Sequence, residues 1–374
     1  MTKARATPYA FPAFFRHPGR PVPDAISSPI FHALDRLAAG RSLTGDEAGA
    51  AFDVVMRGEA TAAQIGSLLL GLRAKGESAD EVAGAARALR RAMSVVALPD
   101  VDSMVDTCGT GGGRAGTFNI STGAAFIVAG AGVRVAKHGN RSFTSRSGSA
   151  DVLEALGVPV PTPPERLTQV LEAAGIVFLF APTFHPAMRH AAPVRKELGV
   201  TTIMNLLGPL ANPAGVTRQV LGVSDAERAP LLAEALASLD SRHSLVVHGS
   251  EGMDEISPLG PTQVWEVRDG KVVEWEIDPD SFGIAAGRRD DLEGGTPAEN
   301  AKIISEVLDG SRGGAARDAL LLNAAAALYV AGREWSFADS LELATTALDE
   351  GKGLDALRRL REATTTAGRG KREE

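Results

Sequence analysis

Between Asp106 and Gly157 the chain reads DTCGTGGGRAGTFNISTGAAFIVAGAGVRVAKHGNRSFTSRSGSADVLEALG, two strand–loop–helix units in immediate succession. This stretch restricts the fold more than any other, because short β-prone runs that alternate with helices build layered α/β architecture. The run Met104 to Cys108 leads into Gly109, Gly111, Gly112 and Gly113, whose missing Cβ atoms let backbone N–H groups close on an anion. Asn119, Ser121 and Thr122 then open an apolar helix running to about Ala131. Its free N–H groups and the positive end of its dipole face the same space. A second β-prone run, Val133 to Ala136, delivers Lys137, His138, Asn140 and Arg141 in another loop, and Ser147 and Ser149 begin the next helix. Such a pattern suits a polyphosphate. It is not a Walker A loop, since no Gly-Lys-Ser/Thr follows, and its spacing does not fit a dinucleotide fingerprint.

Around these units the hydrophobic period divides the chain. Residues 1–28 are proline-rich, show no periodic pattern and read as a mobile extension. From 29 to 98 apolar residues recur at helical spacing, punctuated by Gly40, Gly58 and Gly76, with Thr44, Thr61 and Ser78 as N-caps of a small helical domain. Residues 99–366 read as a larger α/β domain with a mostly parallel sheet. Its strands are expected at Met104–Cys108, Val133–Ala136, Val177–Ala181, Gln219–Val223 and Ser244–His248, followed by a hairpin across Asp269-Gly270. From Pro297 the text is helical again, and residues 367–374 read as a frayed tail. In such sheets ligands sit beyond the carboxyl ends of the strands, where the glycine loop, the Lys137 loop, the segment after Ala181 and the loop after His248 would emerge together.

Charge and cysteine content narrow the function. A net charge of -7 argues against nucleic-acid and membrane surfaces, both anionic, so affinity for phosphate must be local. The single cysteine, Cys108, excludes an intramolecular disulfide and fits a cytoplasmic protein. Asp254 and Glu255 follow the strand-like SLVVH; beside a pyrophosphate they would hold magnesium, with the Ser121 hydroxyl as a further oxygen ligand. Arg195, in FHPAMRHAAPVRKELG, carries a planar fork suited to the carboxylate of a second substrate such as an aromatic acid.

Taken with FNIST at Phe118, KHGNR at Lys137, SGSADVLEALG at Ser147, HPAMRHAAPVRKELG at His185, NLLGPLANPA at Asn205 and GMDEIS at Gly252, the GTGG at Gly109 makes the chain resemble the anthranilate phosphoribosyltransferases from about Pro29 to Leu360. The resemblance implies a nucleoside phosphorylase-like α/β domain hinged to the helical one. A later helical segment near 185–207 would pack on the helical domain, and a homodimer would form through the helical domains. It further implies transfer of phosphoribosyl from phosphoribosyl pyrophosphate to the amine of anthranilate, with magnesium, two ions in number. Phosphoribosyl pyrophosphate would sit on Gly109, Gly112, Gly113, Thr117, Asn119, Ile120, Ser121, Thr122, Lys137, His138, Gly139, Asn140, Arg141, Ser142, Phe143, Thr144, Ser145 and Ser149. Anthranilate would contact Gly109, Asn140 and Arg195, lined by His138 and His185, and the metal would use Ser121, Asp254 and Glu255. No side chain is assigned as an obligatory general base, because the aryl amine is already neutral. Two positions depart from the family pattern: Gly113 stands where GTGGD carries its acid, and Thr201 where an arginine is usual. The rival readings are a pyrimidine nucleoside phosphorylase-like enzyme and a non-catalytic nucleic-acid-binding relative of the same fold.

Overall fold

The computed structural model describes residues 28–111, 116–142, 146–284 and 287–369, the last four without their side chains. The first helices are α1 (Pro29–Ala38), α2 (Gly45–Met56), α3 (Ala62–Lys75) and α4 (Ala79–Ala92). Thr44, Thr61 and Ser78 do start α2, α3 and α4, each as a complete capping box closed by Glu47, Gln64 and Glu81. Helices α2 and α4 cross at glycines: a Cβ on Gly84 would stand 2.1 Å from the Gly45 carbonyl oxygen.

There follow β1 (Asp106–Gly109), α5 (Ile120–Gly130), β2 (Val135–Gly139), α6 (Ser149–Ala155), α7 (Leu167–Ala174), β3 (Ile176–Phe180) and α8 (Ala181–Phe184). Next are α9 (Ala192–Leu198), α10 (Met204–Leu207), β4 (Arg218–Gly222), α11 (Ala229–Ala237), β5 (His243–Gly249), β6 (Thr262–Arg268) and β7 (Lys271–Ile277). The chain ends in α12 (Pro297–Leu308), α13 (Ala315–Tyr329), α14 (Phe337–Asp349) and α15 (Lys352–Arg369). The last helix runs to Arg369, across the boundary at 367 read from composition.

Strands β1, β4 and β5 are parallel, and β5, β6 and β7 antiparallel, in one five-stranded sheet of order β1-β4-β5-β6-β7. The parallel pair β2-β3 joins it through a single bridge, Val105 to Val135. The hairpin turns at Asp269 (φ 49) and Gly270 (φ 74), the left-handed pair that such a two-residue turn requires. Two boundaries differ from expectation with consequences for the site. Strand β1 starts at Asp106 rather than Met104, and β2 runs on to Gly139 because its pairing with β3 continues to Gly139↔Phe180. Lys137 and His138 are therefore strand residues, not loop residues.

One apolar cluster fills the space between the sheet and α5, α13, α14 and α15. A second begins in α1 to α4 and continues through Ala187, Val194, Met204 and Leu207, then α11, to Leu221, Val246 and Trp265 on the sheet. The helical bundle thus shares its core with one face of the sheet. Arg90 of α4 fastens this junction, donating to the carbonyls of Leu210 and Leu239 at 2.7 and 3.1 Å.

Candidate active site

The carboxyl ends of β1, β4 and β5 meet at glycines, and the acidic turn lies across them. Gly249 N–H donates to the Met253 carbonyl at 2.9 Å, folding the segment after β5 back so that Asp254 covers the end of β4. A Cβ on Gly222 would stand 1.7 Å from the Asp254 carbonyl oxygen, and one on Gly109 would lie 3.5 Å from Asp254 Oδ2. From the other side Asn323, buried in the alanine-rich α13, accepts from Ile256 N–H at 3.0 Å and donates to its carbonyl at 2.9 Å. Sequence reading missed both Gly222 and Asn323. A lone amide in an apolar helix was the available signal for the second.

Glu255 points the other way, toward the start of α5, where its Oε1 accepts from Ser121 N–H at 3.1 Å. The remaining N–H groups of that helix start are also taken: Ile120 donates to the Phe118 carbonyl, and Thr122 and Gly123 to that of Asn119. The anion cradle expected at this helix is accordingly occupied by the Glu255 side chain. Asn119 does not cap with its side chain; its amide donates to the Ser147 carbonyl and accepts from Ser147 Oγ and Asn300 Nδ2. Ile120 is buried, and the Thr122 hydroxyl is buried without a hydrogen-bond partner among the described residues.

Lys137 is buried beneath this arrangement, its ammonium donating to the Thr107 carbonyl, to Thr107 Oγ1 at 3.3 Å and to Ser121 Oγ at 3.2 Å. Burial pulls its pKa down, while Asp106, Cys108 and Glu255 pull it back up. The same burial, with Asp254 adjacent, pushes the Glu255 carboxyl up to about 8, and burial raises Asp254 as well. Cys108 is a packed thiol whose pKa burial drives well up, as expected of a structural residue.

On the opposite face of β2, His138 Nε2 lies 3.2 Å from His185 Nε2, a contact that two neutral rings make by one donating to the other. Burial, with His185 beside it, lowers His138 to about 3, and burial lowers His185 to about 4. Arg195 sits half-buried on α9; among the described residues no ion pair engages it, and burial lowers its pKa. The Arg141 guanidinium pairs with Asp151 at 3.1 Å and Glu154 at 2.6 Å, which raise its pKa. Asn140 Oδ1 accepts from Arg141 N–H at 2.7 Å, and Asp151 accepts from Ser142 N–H and Gly148 N–H at 3.0 Å each, closing the loop ahead of Ser149. Gly139 must stay bare, since a Cβ there would lie 2.6 Å from Ser149 Oγ. Thr117 belongs to a bridge with Glu293. Gly112, Gly113, Phe143, Thr144 and Ser145 lie outside the described residues.

Asp254, Glu255 and Ser121 present hard oxygen donors around one end of the sheet, and burial raises the pKa of both carboxyls. That donor set fits magnesium, which takes one or two carboxylates and completes its shell with phosphate oxygens and water. Among the described residues no group of three or more His, Cys, Asp or Glu is placed to hold a metal ion.

Residues 101–354 match the family model for the glycosyl transferase family a/b domain, and residues 31–93 the one for its helical bundle domain. Over 335 residues the chain is 52% identical to an anthranilate phosphoribosyltransferase of Thermomicrobium roseum, covering 89% of this chain and 96% of the relative. It is 50% identical to that of Rubrobacter xylanophilus over 339 residues, 90% of this chain and 98% of the relative. Among solved structures, anthranilate phosphoribosyltransferase from Thermus thermophilus superposes with a TM-score of 0.83 at 42% identity, covering 89% of this chain and 99% of that one. The enzyme from Saccharomyces cerevisiae, solved with phosphoribosyl pyrophosphate and magnesium, superposes with a TM-score of 0.82 at 28% identity, covering 90% and 98%.

Proposed function

Because this chain belongs to the anthranilate phosphoribosyltransferase family, we propose that it transfers the phosphoribosyl group of phosphoribosyl pyrophosphate to the amine of anthranilate, releasing pyrophosphate, in tryptophan biosynthesis. The observation that supports this most is the meeting of Gly109, the start of α5 and the Asp254-Glu255 turn at one edge of the sheet. Magnesium, held by Asp254, Glu255 and Ser121 and two ions in number, would supply positive charge for the pyrophosphate leaving group.

The chain's own residues divide the work. Glycine-loop N–H groups and the Lys137 ammonium favour negative charge where the leaving group departs, which is stabilisation by preorganised dipoles rather than proton transfer. Arg195, with its charge unpaired, offers a fork to the anthranilate carboxylate, and the two neutral histidines line the ring's approach without competing for that charge. The amine attacks the anomeric carbon as a neutral nucleophile, so positioning replaces a general base. We further infer a homodimer assembled through the helical bundle and a cytoplasmic setting; among the described residues no helix is long and apolar enough to cross a membrane.

The test follows anthranilate fluorescence with phosphoribosyl pyrophosphate and magnesium, expecting a decay that requires both. Asp254→Asn combined with Glu255→Gln should lose nearly all turnover while keeping its circular dichroism. A folded double variant with wild-type turnover removes the metal assignment. Phosphate-dependent cleavage of a pyrimidine nucleoside, with anthranilate untouched, replaces the whole reading.

A further inference from the structure

Strands β1 and β2 run side by side, yet their backbones pair only at the base. Val105 N–H donates to the Arg134 carbonyl at 3.1 Å and Ala136 N–H to the Val105 carbonyl at 3.0 Å, and there the ladder stops. Beyond that point two side chains take over the pairing. Asp106 Oδ1 accepts from His138 N–H at 3.0 Å, and Asp106 Oδ2 accepts from Asn212 Nδ2 at 2.8 Å. The same amide nitrogen donates to the Ala136 carbonyl at 2.9 Å, while Asn212 Oδ1 accepts from Ala214 N–H at 2.9 Å. Asp106 and Asn212 are 1% and 5% exposed, so a mismatch here has no water to relieve it.

The split these two residues hold open lies between the two halves of the site. Lys137 and His138 are successive strand residues and leave to opposite faces of β2. One reaches Thr107 and Ser121 under the phosphoribosyl side; the other meets His185 on the acceptor side. Asn212 itself ends the stretch that follows α10, so its amide also ties that stretch to the sheet. His138 N–H and Asn212 Nδ2 both donate to Asp106, one to each oxygen, which a carboxylate satisfies and an amide in its place meets at one end only.

We propose that Asp106 and Asn212 form a positioning pair, standing in for the missing ladder between β1 and β2 and holding the His138–His185 wall of the acceptor site in register with the Lys137–Ser121 floor. Neither touches the reacting atoms. The proposal rests on the function given above, because it is that reading which makes the two faces of β2 the two halves of one site.

Asp106→Asn sets N–H against N–H, Asn212→Asp sets carboxylate against carboxylate, and the exchange Asp106→Asn with Asn212→Asp restores a donor facing an acceptor. Each single variant should raise the KM for anthranilate about tenfold or more, the cost of one mismatched charged hydrogen bond, while the KM for phosphoribosyl pyrophosphate moves much less. The exchange should recover part of that loss, because the carboxylate then at position 212 meets the amide at 106 but no longer serves the Ala136 carbonyl. An exchange no better than the product of the singles, or both KM values rising equally as the melting temperature falls in every variant, overturns the pair. Should the exchange not fold, Asn212→Ala decides: a folded variant with wild-type KM for anthranilate is equally fatal. Wild-type turnover, run alongside, tests the activity separately from the pair. If wild type proved inactive, the histidine NMR resonances would still report on His138, shifting in each single variant and returning in the exchange, and unshifted resonances would overturn the pair.

Discussion

Arg195 and Glu255 show how burial converts ordinary charged side chains into reactive ones. Arg195 is held half out of water with no carboxylate among the described residues to pair with, so its fork is available to a ligand. Arg195→Ala should weaken anthranilate binding by roughly ten- to hundredfold, the worth of about 1.5 to 3 kcal/mol for a charge-assisted bond, and leave phosphoribosyl pyrophosphate little affected. Equal shifts in both substrate constants would make it a structural residue. Glu255 yields a pH prediction for the metal-free protein. Its pKa of about 8 lies above the ordinary 4.5, so between those values the folded state holds a proton that the unfolded state has released. The associated stability is fully present below the lower value and is lost as pH rises toward the upper one. Metal-free melting temperature should therefore decline over that window, Glu255→Gln should flatten the decline, and magnesium should raise the melting temperature more at the alkaline end. A Glu255→Gln variant with the parent's pH profile would exclude Glu255 as the titrating group.

Elements in this protein are aimed by what their ends lack. Strand β4 ends at Gly222 with the acidic turn lying directly on it, and the backbone of that turn is gripped from behind by Asn323 of α13. Since a Cβ at 222 would sit 1.7 Å from the Asp254 carbonyl oxygen, Gly222→Ala must push the turn off the strand end. The expected cost in stability is about 1–3 kcal/mol, as for other overpacked sites. The loss in activity should be larger, and added magnesium should recover part of it. Unchanged magnesium dependence in a folded Gly222→Ala enzyme would show that the turn is held by α13 alone. The same logic of bare backbone recurs where α2 crosses α4 at Gly45 and Gly84, which lets two helices approach more closely than side chains would allow.

Considered whole, the molecule joins two bodies through a common core instead of stacking two finished ones. The second apolar cluster passes from α1–α4 through α9 to α11 and the face of the sheet, so the helical bundle depends on the α/β part to cover its apolar side. The bundle still leaves Leu70 of α3 49% exposed, an apolar residue on the surface through which the homodimer is inferred to form. Light scattering in solution should give twice the 38.9 kDa chain mass, and Leu70→Lys should shift the mass toward one chain. A monomeric wild type would remove the dimer.

The sequence alone determined the features that rest on local rules: capping boxes at Thr44, Thr61 and Ser78, the left-handed turn at Asp269-Gly270, and the strand–glycine–helix order that places loops at one sheet edge. These need only neighbours a few residues away, and the motifs carrying the family resemblance lie along the same units. What tertiary structure decided involves partners distant in the chain. Lys137 read as a loop cation, but pairing with β3 draws it into a strand and under Ser121; Arg141, read as a phosphate ligand, is also paired with Asp151 and Glu154. Glu255 on the start of α5, Asn323 on Ile256 and Asn212 on Asp106 join residues far apart in the chain. No periodicity or local propensity encodes such contacts, because a buried polar group settles on whichever partner the packed core brings within reach.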